Sequence, residues 1–353
     1  MSSKVVFLMR ELSGYFVSCI QHWKGTFDGD VYVVYWPTHQ DAPFQWQMDS
    51  NIHWIEKSVF LQSHNQVFFW QGIQHLFVAG WGDGDYNGIV KGNSSISKTI
   101  LFDTQWTSSW KMHLGRFWLY FKIIRHFESA WVPGKRQRDL ATKLFFKSNQ
   151  IFSHFYVGDQ LLFDQPKAHG FENENELNIV FAGRLIHEKG ILPLIQQFIE
   201  TMSEEPLLNW HLHICGTGPL SQECPSHPRV TYHGFVQPKD LASIFQRMDL
   251  FVLPSLYEPW GVVVHEAAFS GLPLMVSDAV GAADDFVVDG MNGWVFSSGD
   301  VKAVMACIRK FNQLSGEEKL AMSEKSRTLA RSVEMETWAI SANQILNEKS
   351  CAE

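Results

Sequence analysis

The sequence predicts an α/β protein of two Rossmann-like domains, each a doubly wound parallel sheet. At 353 residues the chain exceeds one ordinary core and suits two, at ~150 residues per domain. Through the second half, short β-rich apolar runs alternate with apolar residues at helical spacing, the rhythm of doubly wound sheets. The polar stretch Gln165–Glu176 (QPKAHGFENENE) is the best linker, so the domains are expected at 1–167 and 168–353.

Taken in order, KVVFLMR, DVYVVYW, HLFVAGW, KTILFDT and SAWVPG read as strands of the first domain. LNIVFA opens the second domain, a run suited to a strand buried on both faces. GILPLIQQFIETM follows with helical spacing, then WHLHICG as a strand stopping at Gly216-Thr217-Gly218-Pro219. VTYHGF, DLFVLPS and PLMVSD repeat the strand signal, and GWVFSSGD precedes a helix beginning near Asp300. DLASIFQRM and VVVHEAAFSG are helices between them, the latter closed by Gly271. Asp300 is an expected N-cap for the next helix. A last helix around Glu334–Asn347 is expected to pack back on the first domain.

Composition narrows the function classes. A chain 45% hydrophobic and 19% charged is globular and not disordered. No apolar run approaches the ~20 residues that span a bilayer. MSSKVVFLMRELSG is interrupted by Arg10 and Glu11, so it reads as a first buried strand and not as a signal peptide. Cys19, Cys215, Cys224, Cys307 and Cys351 are odd in number and lack metal-ligand spacing, which suits reduced thiols and a cytoplasmic location. A net charge of −8 argues against nucleic acid as a partner. The charge is uneven: Lys111–Lys147 carries nine Lys or Arg against Glu128 and Asp139, a balance of +7 that leaves −15 for the remainder. Ten of the fourteen tryptophans precede residue 132.

Two segments carry chemistry. In FAGRLIHEKG (181–190) a strand ends at Ala182, Gly183 permits a turn, and Arg184 and Lys189 flank a helix start. A helix N-terminus attracts anions, and two added cations make it fit for a pyrophosphate. Solvated cations at a helix start are commonplace, so this motif alone is moderately specific. In EPWGVVVHE (258–266), Glu258 follows a strand end, where doubly wound sheets bind ligands. A helix starts near Gly261 and holds Glu266 more than a turn inside it. A carboxylate among Val, Ala and Phe needs a partner, and two ribose hydroxyls are one. Two ordinary surface glutamates are the rival reading, weak for the pair in this setting.

GRLIHEKG, CGTGPL, HGFV, EPWGVVVHEAAFSGLPLMVSD and DGMNGWVF, in this order and spacing with an intact E-x7-E, resemble the donor domain of retaining glycosyltransferases of family 4. The resemblance covers residues 177–300 and implies the GT-B arrangement, two Rossmann-like domains facing across a cleft. It implies that Arg184 and Lys189 hold the donor diphosphate, that Glu258 contacts the transferred sugar, and that Glu266 holds the ribose. Gly183, and backbone amides near Gly261 and Val262, would border the phosphates or sugar, and Gly218, Pro219 and Val236 the nucleoside. The first half resembles, more loosely, a bacterial polysaccharide subgroup through FDTQWTSSWK, SAWVPGKRQRDLA and FYVGDQLLF. Phe102-Asp103 stands where many members have His-Asp, which makes Asp103 the candidate polar group facing the sugar. Ser13-Gly14 replaces the usual glycine pair on the acceptor side, and Gly281-Ala282-Ala283-Asp284-Asp285 replaces a Gly-Gly-x-x-Glu stretch.

The expected reaction is transfer with retention from a nucleotide-sugar to a glycan or lipid-linked glycan, with no cofactor and no metal. Asp28-Gly29-Asp30 and Asp83-Gly84-Asp85 match a metal-binding D-x-D pattern, but turns prefer the same residues. His211-x-His213 reads as structural or edge-facing. KMHLGRFWLYFKIIRHFE has the spacing of a core helix with an apolar stripe and a wet basic side. Its charge balance points instead to an anionic membrane surface met through 111–147. The alternatives are a nucleotide-sugar epimerase, disfavoured by E-x7-E and the lack of an acid–base set, and a non-catalytic sugar-nucleotide-binding protein.

Overall fold

The computed structural model describes residues 3–37, 43–63, 69–106, 110–166 and 176–347. It divides into two compact units, one of Met1–Val157 with Met335–Glu353 and one of Gly158–Glu334.

The first unit opens with β1 (Ser3–Leu8), α1 (Gly14–Lys24), β2 (Gly29–Tyr35), β3 (His53–Glu56), α2 (Lys57–Ser63), β4 (Ile73–Ala79) and α3 (Gly84–Gly92). It continues through β5 (Ser97–Leu101), α4 (Trp110–Lys122), β6 (Ser129–Trp131), α5 (Lys135–Lys143) and β7 (Ile151–Phe152). The strands form one parallel sheet in the order β3-β2-β1-β4-β5-β6-β7. Val5–Leu8 of β1 are wholly buried, as expected of a central parallel strand covered on both faces. Phe7 stacks on Phe77 of β4 at 4.3 Å.

The second unit holds α6 (Gln160–Phe163), β8 (Leu177–Ala182), α7 (Ile191–Glu204), β9 (Trp210–Cys215), β10 (Val230–Gly234), α8 (Pro238–Phe245) and β11 (Leu250–Leu253). It continues with α9 (Val262–Phe269), β12 (Leu274–Ser277), α10 (Ala283–Phe286), β13 (Gly293–Phe296), α11 (Val301–Asn312) and α12 (Gly316–Ala330). Its parallel sheet runs β10-β9-β8-β11-β12-β13, so the strand order reverses between β8 and β11. Asp300 caps α11 by accepting from the Ala303 N–H at 2.9 Å.

The chain finally returns to the first unit with α13 (Met335–Asn347), which packs on α1. Trp338 is wholly buried, stacks on Phe7, and donates its indole N–H to the Phe155 carbonyl at 3.0 Å.

Three readings are corrected here. The units divide at Val157/Gly158, earlier than the expected boundary at 167/168. The reason is α6: Phe163 is buried and packs on Phe245 of α8, and Arg327 of α12 binds Asp164 and the Gln165 carbonyl. Most of the expected linker, residues 167–175, lies outside the described residues. Second, α4 is not a core helix. None of its residues is fully buried; Met112, Leu119 and Tyr120 rest on the core, while the stripe of Trp110, Leu114, Phe117, Trp118 and Phe121 is exposed. Third, β3, β7, β13 and α12 are among the elements not foreseen; β3 and β7 are too short to show a periodicity.

Candidate donor site

The loops leaving β8, β9, β11 and β12 gather the candidate residues at the carboxyl edge of the second sheet, where its strand order reverses. Open α/β sheets bind ligands at such a point. After β8, the Gly183 N–H donates to the Cys215 carbonyl at 2.9 Å, tying the exits of β8 and β9 together. A short 3-10 turn, His187–Lys189, precedes α7 and ends on Gly190 in the left-handed region at φ +64°. A Cβ at Gly190 would stand 2.4 Å from the Pro254 carbonyl oxygen, so glycine lets this turn lie against the exit of β11. The Leu256 N–H then donates to the Glu188 carbonyl at 2.7 Å.

That contact positions the two charged partners. Lys189 Nζ forms an ion pair with Glu258 Oε2, and Glu258 is nearly buried. Arg184 is exposed, and its guanidinium has no hydrogen-bond or ion-pair partner among the described residues. One cation is therefore committed to a carboxylate and the other is available to a ligand.

Gly261, at φ +92°, is the N-cap of α9, and Val262 is its first residue. The first backbone N–H groups of a helix lack intrahelical partners and carry partial positive charge. Gly218, extended, starts the turn Pro219–Gln222 and packs so closely on Leu185 that a Cβ would come within 2.5 Å of its carbonyl oxygen. Val236 follows β10 and is half-buried.

Glu266 sits on α9, where its carboxylate makes no hydrogen bond or ion pair with any described residue. Burial first, and the charge of Asp159 second, push its carboxyl up to about 8. At neutral pH its protonated form is favoured, which can both donate to and accept from a hydroxyl.

Sequence reasoning missed the neighbours that hold Glu266. A Cβ on Gly158 would lie 3.1 Å from Glu266 Cγ, and the Gly158 N–H donates to Nδ1 of buried His265 at 3.1 Å. His265 Nε2 is 3.0 Å from the Ala330 carbonyl, and its ring stacks on Phe286. The only signal was a histidine beside the glutamate in VVVHEAAF; the partners are remote in sequence.

In the first unit, Asp103 follows β5 and accepts from the Tyr156 hydroxyl at 3.4 Å. Burial, then the neighbouring Tyr15 and Asp103, hold the Tyr156 phenol well above its ordinary value. Ser13 is the N-cap residue of α1 without a side-chain cap bond, and Gly14 lies under Trp46, whose ring a Cβ would meet at 2.7 Å. Asp83 serves α3 as N-cap, accepting from the Asp85 and Tyr86 N–H groups, and pairs with Lys57. His211 and His213 lie on β9 and bond to Thr231 and Asn178.

Residues 176–313 match the family model described as glycosyl transferases, group 1. The matched segment holds every candidate donor residue. An uncharacterized glycosyltransferase of Methanocaldococcus jannaschii is 33% identical over 131 residues, covering 35% of this chain and 33% of that protein. The capsular polysaccharide biosynthesis glycosyltransferase CapM of Staphylococcus aureus is 30% identical over 177 residues, 47% of this chain and 44% of that one. The chain thus spans a third to less than half of the length of these two relatives. Likeness in fold extends further. Sucrose-phosphate synthase from Thermosynechococcus elongatus has a TM-score of 0.76 at 16% identity, over 99% of this chain and 100% of that chain. Anabaena HepE, solved in complex with UDP and glucose, has a TM-score of 0.72 at 12% identity, over 98% and 99%. The matched segment therefore lies in a chain with the two-domain fold of GT-B glycosyltransferases.

Proposed function

We propose that the chain is a retaining glycosyltransferase of family 4, moving a hexosyl or related sugar from a nucleotide-sugar to a glycan or lipid-linked glycan hydroxyl. The observation that carries this reading is the uncommitted Arg184 on the same β8–α7 connection as Lys189, whose partner Glu258 precedes the N-terminus of α9. As the glycosidic bond to the diphosphate breaks, negative charge gathers on the departing oxygens. Arg184, Lys189 and the α9 N–H groups meet that charge, the largest electrostatic contribution available to such a reaction. Glu258, held by Lys189, orients the sugar, and Glu266 holds the ribose. Gly183, Gly218, Pro219, Val236, Gly261 and Val262 border the donor. Asp103 is the candidate polar group for the sugar, and Ser13 and Gly14 are acceptor-side candidates. This assigns charge neutralisation to side-chain cations and a helix terminus, without a metal or a cofactor. The neighbour solved with UDP and glucose supports a nucleotide-sugar donor, and the capsular relative supports polysaccharide biosynthesis.

The same reading places the protein in the cytoplasm, peripheral to the membrane through 111–147. The exposed apolar stripe of α4 and the basic residues around it support this. No helix among the described residues is long and apolar enough to cross a membrane.

The test is a thermal-shift screen of nucleoside diphosphates and nucleotide-sugars, followed by turnover with a supplied glycan and NMR of the anomeric product. A stabilisation by one nucleotide class, of ~2.7 kcal/mol at a hundredfold excess over Kd, and a product of retained anomeric configuration are expected. No nucleotide response from folded protein would overturn the donor assignment, and conversion of donor without acceptor would mark an epimerase.

A further inference from the structure

The first unit contains a groove of about 700 Å³ between α3 and α4, a size typical of small-molecule sites. Its walls are apolar and aromatic, with Trp81, Trp106, Met112 and Leu119 among them. Lys91, Lys111, Arg116 and Lys122 line it, and among the described residues no Asp or Glu does.

Two further observations point to an occupant. The first is Arg116. Its guanidinium lies over the rings of Phe117 at 4.8 Å and Phe145 at 5.5 Å. Its Nε is buried and has no hydrogen-bond partner among the described residues, a donor whose burial is costly until an acceptor arrives. The second is the glycines. Gly88 of α3 and Gly115 of α4 lie inside helices, where glycine costs about 1 kcal/mol relative to alanine. Neither has positive φ, and a Cβ at either would meet nothing within 4 Å. Packing does not demand glycine at these positions; what their missing side chains leave open is the groove.

We infer that this groove binds a single-chain lipid phosphate, the apolar chain lying along the tryptophans and glycines and the phosphate accepting from Arg116 and the neighbouring lysines. A purely apolar ligand would leave the cations unmatched, and a free sugar would leave the aliphatic wall in contact with hydroxyls. An amphipathic anion matches both halves. As the anchor of a lipid-linked acceptor it deepens the proposed reaction, and only that role rests on the glycosyltransferase reading.

The experiment measures binding of farnesyl phosphate, farnesol and inorganic phosphate to the full chain by tryptophan fluorescence, with sedimentation on anionic vesicles as a separate arm. Wild type, Arg116→Gln and Gly88→Leu are compared, and UDP binding is recorded for each. Farnesyl phosphate is expected to bind at least ~10-fold more tightly than farnesol or phosphate, the effect of one charge-assisted contact. Gly88→Leu, which fills the groove, and Arg116→Gln, which removes the phosphate donor, are each expected to weaken it about 10-fold or more while UDP binding persists. Equal binding in all three proteins overturns the groove assignment, as does a response to vesicles with none to farnesyl phosphate. Lipid binding without nucleotide binding would leave the groove standing and sink the transferase reading; nucleotide binding without lipid binding would do the reverse.

Discussion

The ammonium of Lys189 and the carboxylate of Glu258 form an ion pair between the loops that follow β8 and β11. The pair is mostly shielded from water, so each member is costly to leave alone. Lys189→Ala is expected to destabilise the second unit by about 3–5 kcal/mol, read as a lowered urea midpoint. Adding Glu258→Gln to it should restore much of that loss and none of the turnover. A single variant as stable as wild type would show that the pair is not formed in solution.

Arg184 behaves differently because it has no partner to abandon among the described residues. Arg184→Ala is expected to leave the unfolding midpoint within about 0.5 kcal/mol of wild type. Its affinity for a nucleoside diphosphate should fall by about 1.5–3 kcal/mol, the worth of hydrogen bonds to a charged group. Calorimetry with the diphosphate and with the bare nucleoside separates the cases, since only the former should weaken.

Glu266 predicts a pH dependence. Its folded carboxyl, held at about 8, binds a proton more tightly than an unfolded glutamate, near ~4.3. Stability from this group is full below the unfolded value and is lost as pH rises towards 8. Glu266→Gln should therefore match wild type in acid and exceed its stability increasingly from about pH 5 to 8. Urea midpoints across that range test it, and parallel curves would refute the burial of this carboxyl. Binding of nucleotide should be weaker in the variant if the ribose assignment holds.

Asp103→Asn keeps the size of the side chain and removes its charge. The expected outcome is a fall in kcat of about 10²-fold or more, with nucleotide affinity unchanged. A variant with full kcat would remove Asp103 from the reaction.

Trp338 of α13 is wholly buried against Phe7 and Trp131. Trp338→Ala is expected to cost about 3–5 kcal/mol, lowering the thermal midpoint of the first unit. Little change would mean that α13 does not dock there in solution.

The second sheet was legible because its inner strands β8, β11 and β12 are buried on both faces and therefore read as continuous apolar runs, as in LNIVFA and DLFVLPS. In the first unit β3, with the sequence HWIE, and β7, with the sequence IF, are strands by their neighbours' hydrogen bonds and not by pattern. For α4, helical periodicity announced an apolar stripe correctly, yet periodicity says nothing of whether a stripe is covered. Only packing shows that Met112 and Leu119 rest on the core while Trp110 and Phe121 stay exposed.

The sequence by itself determined the alternation of strands and helices, the candidate residues at their ends, and the E-x7-E spacing, because each depends on residues near one another in the chain. The tertiary structure decided that Lys189 is committed to Glu258 and Arg184 is not, that Gly158 and His265 brace Glu266, and that α13 completes the first unit. Those outcomes depend on which distant groups burial brings within reach, and on which charges then find partners. Spacing along the chain does not encode either.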